Sequence, residues 1–316
     1  MKIVSINNLY VEESLLWKLQ DKLFSLGHEF SYYLTNFNSD EVLITKIKDA
    51  DILIIDNHKI SNKVLDEAKN LKYIIIAFTG FDHIDISYCK SRNIVVSNAS
   101  GYATEAVAEL TVTLIISSLR NVINFDKLTR KSFDKMDILG TELEGKTVGL
   151  IGYGKIAKRV KTLLEPYNLN FLIYSHHQIS SLPKNVRQVE LEYLLKESDI
   201  VSLHLPLNDE TRDLIGEKEL LMMKKSSILI NTARGPIINN ESLIKVLKNN
   251  CIKGACLSVF DIEPPLNKTE LFDLDNTILL PHIGYFTIEA MKKRFDIVEQ
   301  NLMSYLVESK ILNRVV

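Results

Sequence analysis

The amino-acid sequence predicts an α/β protein built from two doubly wound parallel-sheet domains, and three observations carry that prediction. Short apolar runs alternate along the chain with segments whose apolar residues recur at helical spacing. This βαβα order is typical of parallel sheets that helices cover on both faces. A glycine turn at residues 152–154 opens a second series of such units. The 316 residues also exceed what one hydrophobic core usually organises, so a second domain is expected.

The first hundred residues contain four strand-like runs separated by helical segments. We expect strands at residues 2–6, 52–55, 73–78 and 94–96, and helices at residues 13–26 and 64–71. A longer helix is predicted at residues 104–120, and it is apolar nearly all round. Such a helix must be buried from several sides, as in a crossover between domains or at a subunit interface.

The second series of strands begins at residues 147–151. Further strands are expected at residues 171–174, 200–203, 227–230, 255–259 and 277–280, with helices between them such as 156–165 and 240–249. A final helix is expected at residues 287–307. The sequence therefore predicts that one domain, residues 101–284, is inserted in another that is made of residues 1–100 and 285–316.

Composition and charge narrow the classes of function. Hydrophobic residues make up 46% of the chain and charged residues 25%, as in an ordinary soluble globular protein. The net charge of −2 gives no electrostatic basis for binding nucleic acid or an anionic membrane. The N-terminus becomes polar too early for a signal peptide, and the apolar stretch at 110–116 is too short to span a bilayer.

The three cysteines, Cys89, Cys251 and Cys256, are scattered and odd in number. They argue against a disulfide framework, so a cytoplasmic protein is expected. Cys89 and Cys256 lie in apolar or mixed runs and are interpreted as buried structural thiols. No metal site is expected.

Residues 152–157 (GYGKIA) have the spacing of a dinucleotide-binding fingerprint. They follow a predicted strand and open an amphipathic helix. Gly152 permits a tight turn, Gly154 lets the backbone approach a pyrophosphate, and Ala157 allows close packing of the helix on the strand. The pyrophosphate would lie at the helix N-terminus, where N–H groups and the helix dipole attract anions. The alternative is a tight βα turn in a Rossmann-like domain without a ligand.

The residues that follow the second strand of this series carry no carboxylate. A fingerprint of this kind is usually followed, about 20 positions on, by an acidic residue for the ribose hydroxyls. Here the segment is Ser175-His176-His177. Serine does not repel a 2′-phosphate, and either histidine is able to donate to one, which favours a site that is not strictly selective for NAD. The alternative is a polar loop with two solvated histidines.

Three charged or titratable residues follow strand-like runs near the C-terminus. Arg234 lies in NTARG, Glu263 in FDIEP and His282 in PHIGY. Because ligands of parallel sheets bind at the carboxyl ends of the strands, the three are expected at one edge. A guanidinium, a carboxylate and an imidazole suit chemistry on a small carboxylate. The alternatives are a helix cap or ion pair for Arg234, a loop carboxylate for Glu263 and a structural role for His282.

Together these motifs resemble the D-isomer-specific 2-hydroxyacid dehydrogenase family over essentially the whole chain. The resemblance is carried by TGFDHID at residues 79–85, NASGYATEAVAE at 98–109, GLIGYGKI at 149–156, HLPLNDET at 204–211 and the three strand-end motifs. So many motifs in the same order make a chance match improbable. The family includes lactate, glycerate/hydroxypyruvate, glyoxylate, phosphoglycerate and phosphite dehydrogenases, so the resemblance names no substrate.

The resemblance implies a role for each residue. Arg234 would bind the substrate carboxylate and polarise the keto oxygen, for which a planar, two-pronged donor suits better than lysine. His282 would be the general acid in reduction and the base in oxidation, with Glu263 orienting the ring. Backbone N–H groups around Thr79 and Gly80 would hold the carboxylate from the opposite domain. NAD or NADP would be contacted by residues Thr104, Gly152, Gly154, Lys155, Ile156, Ser175, His176, His204, Pro206, Thr211, Thr232, Ala233, Ser258 and Gly284.

At two positions the chain departs from the family pattern. The family usually has an acidic residue at Ser175, and it usually has aspartate at Ser258, where that aspartate helps to hold the nicotinamide carboxamide. A serine hydroxyl there still makes one hydrogen bond but brings no charge. Formate dehydrogenases, which share the fold, have glutamine where Glu263 stands.

The resemblance also implies the organisation and partners of the protein. A Rossmann dinucleotide-binding domain would be inserted in a flavodoxin-like substrate domain, and two copies would form a homodimer. The expected function is hydride transfer between NAD(P)H and a small 2-keto acid of the hydroxypyruvate, glyoxylate, pyruvate or phosphoglycerate type. The alternative is an NAD(H)-binding regulatory protein of the same fold without significant turnover.

Overall fold

The chain folds into two compact units. The structure is a computed structural model that describes residues 1–34, 37, 39–131, 139–265 and 269–316. One unit comprises Met1–Ala103 and Phe286–Val316, and the other comprises Thr104–Tyr285.

Twelve strands and eleven α-helices make up the described part of the chain. The strands are β1 (Lys2–Ile6), β2 (Glu29–Tyr33), β3 (Ile52–Ile55), β4 (Tyr73–Ile76), β5 (Val95–Asn98), β6 (Thr147–Ile151), β7 (Asn170–Tyr174), β8 (Val186–Gln188), β9 (Ile200–Leu203), β10 (Ile228–Asn231), β11 (Gly254–Leu257) and β12 (Thr277–Leu279). The helices are α1 (Glu13–Ser25), α2 (Asp40–Ile47), α3 (Asn62–Glu67), α4 (Ile86–Ser91), α5 (Thr104–Leu119), α6 (Val122–Thr129), α7 (Lys155–Leu164), α8 (Leu191–Glu197), α9 (Glu217–Met222), α10 (Asn240–Lys248) and α11 (Ile288–Glu308).

The first unit contains a five-stranded parallel sheet. Its strand order is β2-β1-β3-β4-β5, which is the flavodoxin-like order. Every residue of β3 and β4 is buried, as expected for strands that helices cover on both faces. The edge strand β5 is covered by the end of the chain, where Val315 donates its N–H to Val96 O (2.8 Å) and Asn98 donates its N–H to Asn313 O (3.1 Å).

The second unit contains a seven-stranded parallel sheet. Its order, β12-β11-β10-β9-β6-β7-β8, is the doubly wound Rossmann order with an added strand. Side chains of α5 and α7 form a core on one face, and side chains of α8, α9 and α10 form a core on the other. The predicted fold class, two doubly wound parallel-sheet domains, is therefore confirmed.

The structure adds elements that the sequence analysis did not predict. Strands β2 and β8 are absent from the predicted set, as are helices α2, α4 and α6, whereas α8 and α9 are helices between strands that were expected without stated bounds. Several predicted bounds are also wrong by a few residues: the predicted strand 73–78 ends at Ile76, and the predicted helix 64–71 is Asn62–Glu67. Strands β1, β3, β6 and β9 have the predicted bounds.

Two further features bear on location and on the thiols. In the described residues no single helix has the length and apolarity to cross a membrane, whereas α5 and α6 together, bent by 62°, reach that length and composition.

Cys89 and Cys256 are fully buried, and burial raises the pKa of Cys89 to about 11 and that of Cys256 to about 12. The interpretation of both as buried structural thiols is confirmed.

Candidate active site

Arg234 lies in a turn that the side chain of Asn231 builds at the end of β10. Asn231 Oδ1 accepts the N–H of Ala233 (3.0 Å), and Asn231 Nδ2 donates to Arg234 O (2.8 Å). The Thr232 hydroxyl lies 3.0 Å from the hydroxyl of Thr111 in α5. These bonds fix the backbone on both sides of Arg234, whose Nη1 donates to Ala233 O (2.9 Å). Asn231 is not among the residues predicted from the sequence, although an asparagine at a strand end is a known signal for such a turn.

The turn that carries Arg234 lies directly against the turn that follows β11. A Cβ atom placed on Gly235 would lie 2.1 Å from the carbonyl carbon of Phe260 and 2.5 Å from the nitrogen of Asp261. No residue with a side chain fits there without moving backbone. Gly235 therefore lets the Arg234 and Glu263 turns touch.

Glu263 and His282 form a pair at the ends of β11 and β12. Glu263 Oε1 accepts the N–H of Phe260 (2.9 Å), and Glu263 Oε2 is hydrogen-bonded to His282 Nδ1. The side chains of His282 and Glu263 are 22% and 29% exposed, so the pair is partly shielded from water and still reachable. An ionised carboxylate only accepts hydrogen bonds, so the ring donates from Nδ1 to Glu263. Nε2 is then the ring nitrogen that is left to face a substrate.

The backbone of His282 is held in an uncommon conformation. Its φ is +52°, which lies in the left-handed region that residues with a Cβ rarely adopt. Its N–H donates to Ser258 O (2.8 Å) and to Leu280 O (3.0 Å). The ring of Tyr285 packs edge-on against the imidazole, with centroids 5.6 Å apart. These contacts fix the orientation of the His282 imidazole relative to the sheet.

Ser258 links the three strand ends. Its N–H donates to Asn231 O (2.9 Å), and its carbonyl accepts from His282. Its side chain is 1% exposed, and within the described part of the chain its hydroxyl has no hydrogen-bond partner. A buried hydroxyl without a partner is costly, so a donor or acceptor from a ligand fits this position.

The fingerprint has the predicted strand–turn–helix geometry. Gly152 has φ +91°, and a Cβ atom there would lie 2.6 Å from His204 O. Its N–H donates to Tyr174 O (2.9 Å), so the turn is fixed between the ends of β7 and β9. Gly154 precedes α7 as an N-cap without a side-chain hydrogen bond, and a Cβ there would meet no atom within 4 Å. The backbone is therefore open to an anion at the N-terminus of α7, next to Lys155 and Ile156.

The remaining predicted cofactor residues of the second unit lie at the carboxyl edge of the same sheet or on α5. His204 follows β9, and its Nε2 lies 2.9 Å from the hydroxyl of Ser202. Burial lowers the pKa of His204 to about 4, so its ring is neutral near pH 7. The Thr211 hydroxyl donates to Pro206 O (2.7 Å) and so closes the loop after β9.

Four of the predicted cofactor residues lie after β7 or against α5. Ser175 and His176 follow β7, and the ring of His176 lies 5.7 Å from that of Tyr174. Thr104 is the first residue of α5, and Gly284 lies against Val107 of the same helix.

Thr79 and Gly80 belong to the first unit. They follow β4, and Asn98 Nδ2 donates to Thr79 O (2.7 Å). Their role in binding the substrate carboxylate stays a prediction.

The fold and the site define a class of protein: an oxidoreductase with a dinucleotide fingerprint and a guanidinium–carboxylate–imidazole set on neighbouring strand ends. Comparison with known proteins agrees with this class. Residues 112–284 match the family "D-isomer specific 2-hydroxyacid dehydrogenase, NAD binding domain". The glyoxylate reductase of Thermofilum pendens is 40% identical over 277 residues, which cover 85% of this chain and 82% of that protein.

Two solved structures share the fold over their full length. The TT0316 protein of Thermus thermophilus has a TM-score of 0.90 at 31% identity, with both chains covered completely. The acyclic imino acid reductase Bsp5, solved in complex with NADPH and D-Arg, has a TM-score of 0.90 at 30% identity, again with both chains covered completely.

The chain belongs to the D-isomer-specific 2-hydroxyacid dehydrogenase family. It is an NAD(P)-dependent enzyme that transfers hydride between the nicotinamide cofactor and a 2-keto acid/2-hydroxy acid pair. The resemblance found in the sequence is confirmed.

Proposed function

We propose that the chain reduces small, unphosphorylated 2-keto acids of the glyoxylate type, with Arg234, Glu263 and His282 as its catalytic residues. The observation that carries the proposal is the Glu263–His282 pair, held by backbone bonds on strand ends that neighbour the Arg234 turn. The 40% identity to the glyoxylate reductase of Thermofilum pendens supports the choice of substrate. Hydroxypyruvate and pyruvate are the next candidates because they share the 2-keto acid group.

Arg234 binds and orients the substrate in this proposal. Its guanidinium presents two parallel N–H donors, which match the geometry of a carboxylate. The Asn231 side chain and the absence of a Cβ at Gly235 fix the backbone from which the guanidinium extends. A fixed guanidinium orients the keto carbon and lowers the entropic part of the barrier.

His282 moves the proton. With Nδ1 bonded to Glu263, the protonated ring gives its Nε2 proton to the keto oxygen during reduction and takes it back during oxidation. A dihydronicotinamide held at this site would supply the hydride for substrate C2. One proton and one hydride thus convert the ketone to the alcohol. The carboxylate of Glu263 stabilises the imidazolium that exists before the transfer.

We propose that residues 101–284 hold the cofactor and that residues 1–100 with 285–316 carry the substrate-binding loops. The open turn at Gly152–Gly154 suits a pyrophosphate. The unpartnered hydroxyl of Ser258 suits the nicotinamide carboxamide, which offers both a donor and an acceptor.

We also propose a cytoplasmic homodimer. The three cysteines are free thiols, which fits a reducing compartment. In the described part of the chain no residue of α6 is buried, and Val122 and Ile123 are 48% and 40% exposed. Apolar side chains exposed together on a helix often mark a subunit contact.

Steady-state rates with glyoxylate, hydroxypyruvate, pyruvate and phosphohydroxypyruvate test the substrate. We expect the highest kcat/KM with glyoxylate, and a preference for the phosphorylated acid would contradict the proposal. Binding of NAD(P)H without turnover of any of these acids would support the regulatory alternative instead.

Two variants test the proposed catalytic residues His282 and Arg234, and a third is their control. His282→Asn should lower kcat by about 10²–10⁴-fold because proton transfer is lost. Arg234→Lys should raise KM for the keto acid by roughly 10–100-fold because a charge-assisted, two-pronged bond is lost. Arg187→Met is the control, since this guanidinium stacks on Tyr193 (4.9 Å) away from the strand-end turns and its loss should leave both constants unchanged. Normal rates in His282→Asn would contradict the assignment of His282 as the residue that transfers the proton.

A further inference from the structure

The segment that follows β7 is directly connected to the fingerprint turn. Tyr174, the last residue of β7, accepts the N–H of Gly152 (2.9 Å) through its carbonyl oxygen. Ser175 is the next residue along the chain. In a Rossmann sheet this position faces the ribose of the adenosine, where an acidic side chain selects the free 2′-hydroxyl of NAD.

The chemistry of this segment is opposite to that of an NAD-selective site. Residues 175–186 contain no aspartate or glutamate, and they include His176, His177 and Lys184. A 2′-phosphate carries only acceptor oxygens, so it needs donors and repels carboxylates. The Ser175 hydroxyl and the exposed imidazole of His176 are such donors.

One side chain of β8 holds this segment in place. Gln188 Nε2 donates to Ser175 O (3.2 Å) and to His177 O (3.0 Å), and Gln188 Oε1 accepts the N–H of Ile179 (3.0 Å). The two carbonyl oxygens, which would repel a phosphate, are therefore directed towards the Gln188 amide. Since the amide nitrogen faces two acceptors and the amide oxygen faces a donor, no other residue type of this size satisfies all three bonds.

We propose that Ser175 and His176 form a binding site for the 2′-phosphate of adenosine, that Gln188 is its positioning residue, and that the chain uses NADP(H) in preference to NAD(H). The proposal rests on the dinucleotide site of the proposed function and not on the identity of the keto acid. In this proposal Gln188, which lies on the three-residue strand β8, holds the Ser175–His177 segment in place.

Equilibrium binding to the full chain tests the site without turnover. The probes are adenosine 2′,5′-bisphosphate and 5′-AMP, which differ only in the 2′-phosphate, measured by isothermal titration calorimetry. We expect the bisphosphate to bind about tenfold or more tightly than 5′-AMP, as one charge-assisted bond provides. Equal affinities for the two probes would overturn the proposal.

Three variants separate the roles. Ser175→Asp should weaken the bisphosphate about tenfold or more through charge repulsion and leave 5′-AMP nearly unchanged, which also shows that the variant is folded. Gln188→Leu keeps the size of the side chain and removes its three bonds, so it should weaken the bisphosphate and not 5′-AMP. Arg187→Met removes a charge from the neighbouring position of β8 and should change neither. Bisphosphate binding that is unchanged in Gln188→Leu would overturn the positioning role.

Kinetics distinguish this proposal from the proposed function. We expect a higher kcat/KM with NADPH than with NADH, and the reverse order in Ser175→Asp. Tight bisphosphate binding without turnover of any 2-keto acid would contradict the proposed function and leave this site standing. Turnover of glyoxylate with NADH as the better cofactor would contradict this site and leave the function standing.

Discussion

At the scale of single residues, the candidate site depends on a glycine that carries no chemistry of its own. Arg234 and Glu263 come from separate turns, and they stay in register because the backbone at Gly235 touches the Phe260–Asp261 peptide. Catalytic groups need placement to within a fraction of an ångström, so a contact between their supporting backbones matters as much as the groups themselves.

Gly235→Ala should therefore impair catalysis through geometry. The new Cβ would lie 2.1 Å from a backbone carbon, so the two turns must separate. We expect a free energy of unfolding lower by about 1–3 kcal/mol and a reduced kcat. Gly216→Ala is the matched control, because its Cβ would meet only a carboxylate oxygen of Glu219 at 3.3 Å. Urea denaturation and steady-state rates check both variants, and equal effects of the two would contradict the argument.

His204 makes stability depend on pH. Burial lowers its pKa from 6.5 to about 4, so an unfolded chain binds a proton there before the folded chain does. The free energy of unfolding should fall as pH drops below about 6.5, by roughly 3 kcal/mol from this residue near pH 4. His204→Asn should lose less stability than the wild type between pH 7 and pH 4.5 in urea titrations. Parallel curves for the two proteins would refute this origin of the effect.

At the scale of elements, the sequence predicts the strands that are marked by their own apolar residues. It misses the strands that are defined only by pairing with a neighbouring strand. β3 is apolar and buried throughout, and β6 is buried from Val148 to Ile151. Their predicted bounds are correct because strands that are covered on both faces are mainly apolar. β2 and β8 are edge strands that mix exposed and buried residues, so only pairing with β1 or β7 defines them.

The same division holds for the candidate site. Arg234, Glu263 and His282 are readable from the sequence because each follows an apolar run at a strand end. Asn231 and Gly235 support the Arg234 and Glu263 turns through backbone contacts that no spacing reveals. Gln188 does the same for the segment after β7. Roles of this kind emerge only when the turns are placed against one another.

Helix α11 carries one fully buried amide side chain, that of Asn301. Asn301 is fully buried, and its Nδ2 donates to Asn98 O (3.0 Å) while its Oδ1 accepts from Asn313 (2.8 Å). Asn301→Leu should lower the free energy of unfolding by about 2–4 kcal/mol, because both partners lose their hydrogen bonds in a buried place. Gln300→Leu, at the exposed neighbouring position of α11, should change it by less than about 0.5 kcal/mol. Thermal and urea unfolding compare the two variants.

At the scale of the whole molecule, the chain uses one architecture twice. Both units are doubly wound parallel sheets, and in the second unit the predicted cofactor and catalytic residues lie at the carboxyl edge of the sheet or on α5. Among the α-helices of the described chain, α6 differs in that none of its residues is buried. Val122 and Ile123 are adjacent and exposed on this helix, and the proposed homodimer would bury them against a second copy of the chain.

The proposed homodimer predicts the mass of the protein in solution. The wild type should have twice the chain mass of 36.1 kDa in light scattering coupled to size-exclusion chromatography. Ile123→Lys places a charge in the apolar contact, where burying it without a partner is costly, so this variant should run as a monomer or dissociate at higher concentration than the wild type. Thr129→Lys adds the same charge at an exposed position of the same helix and should remain dimeric. A monomeric wild type would rule out the homodimer, and a dimeric Ile123→Lys would place the subunit contact elsewhere than α6.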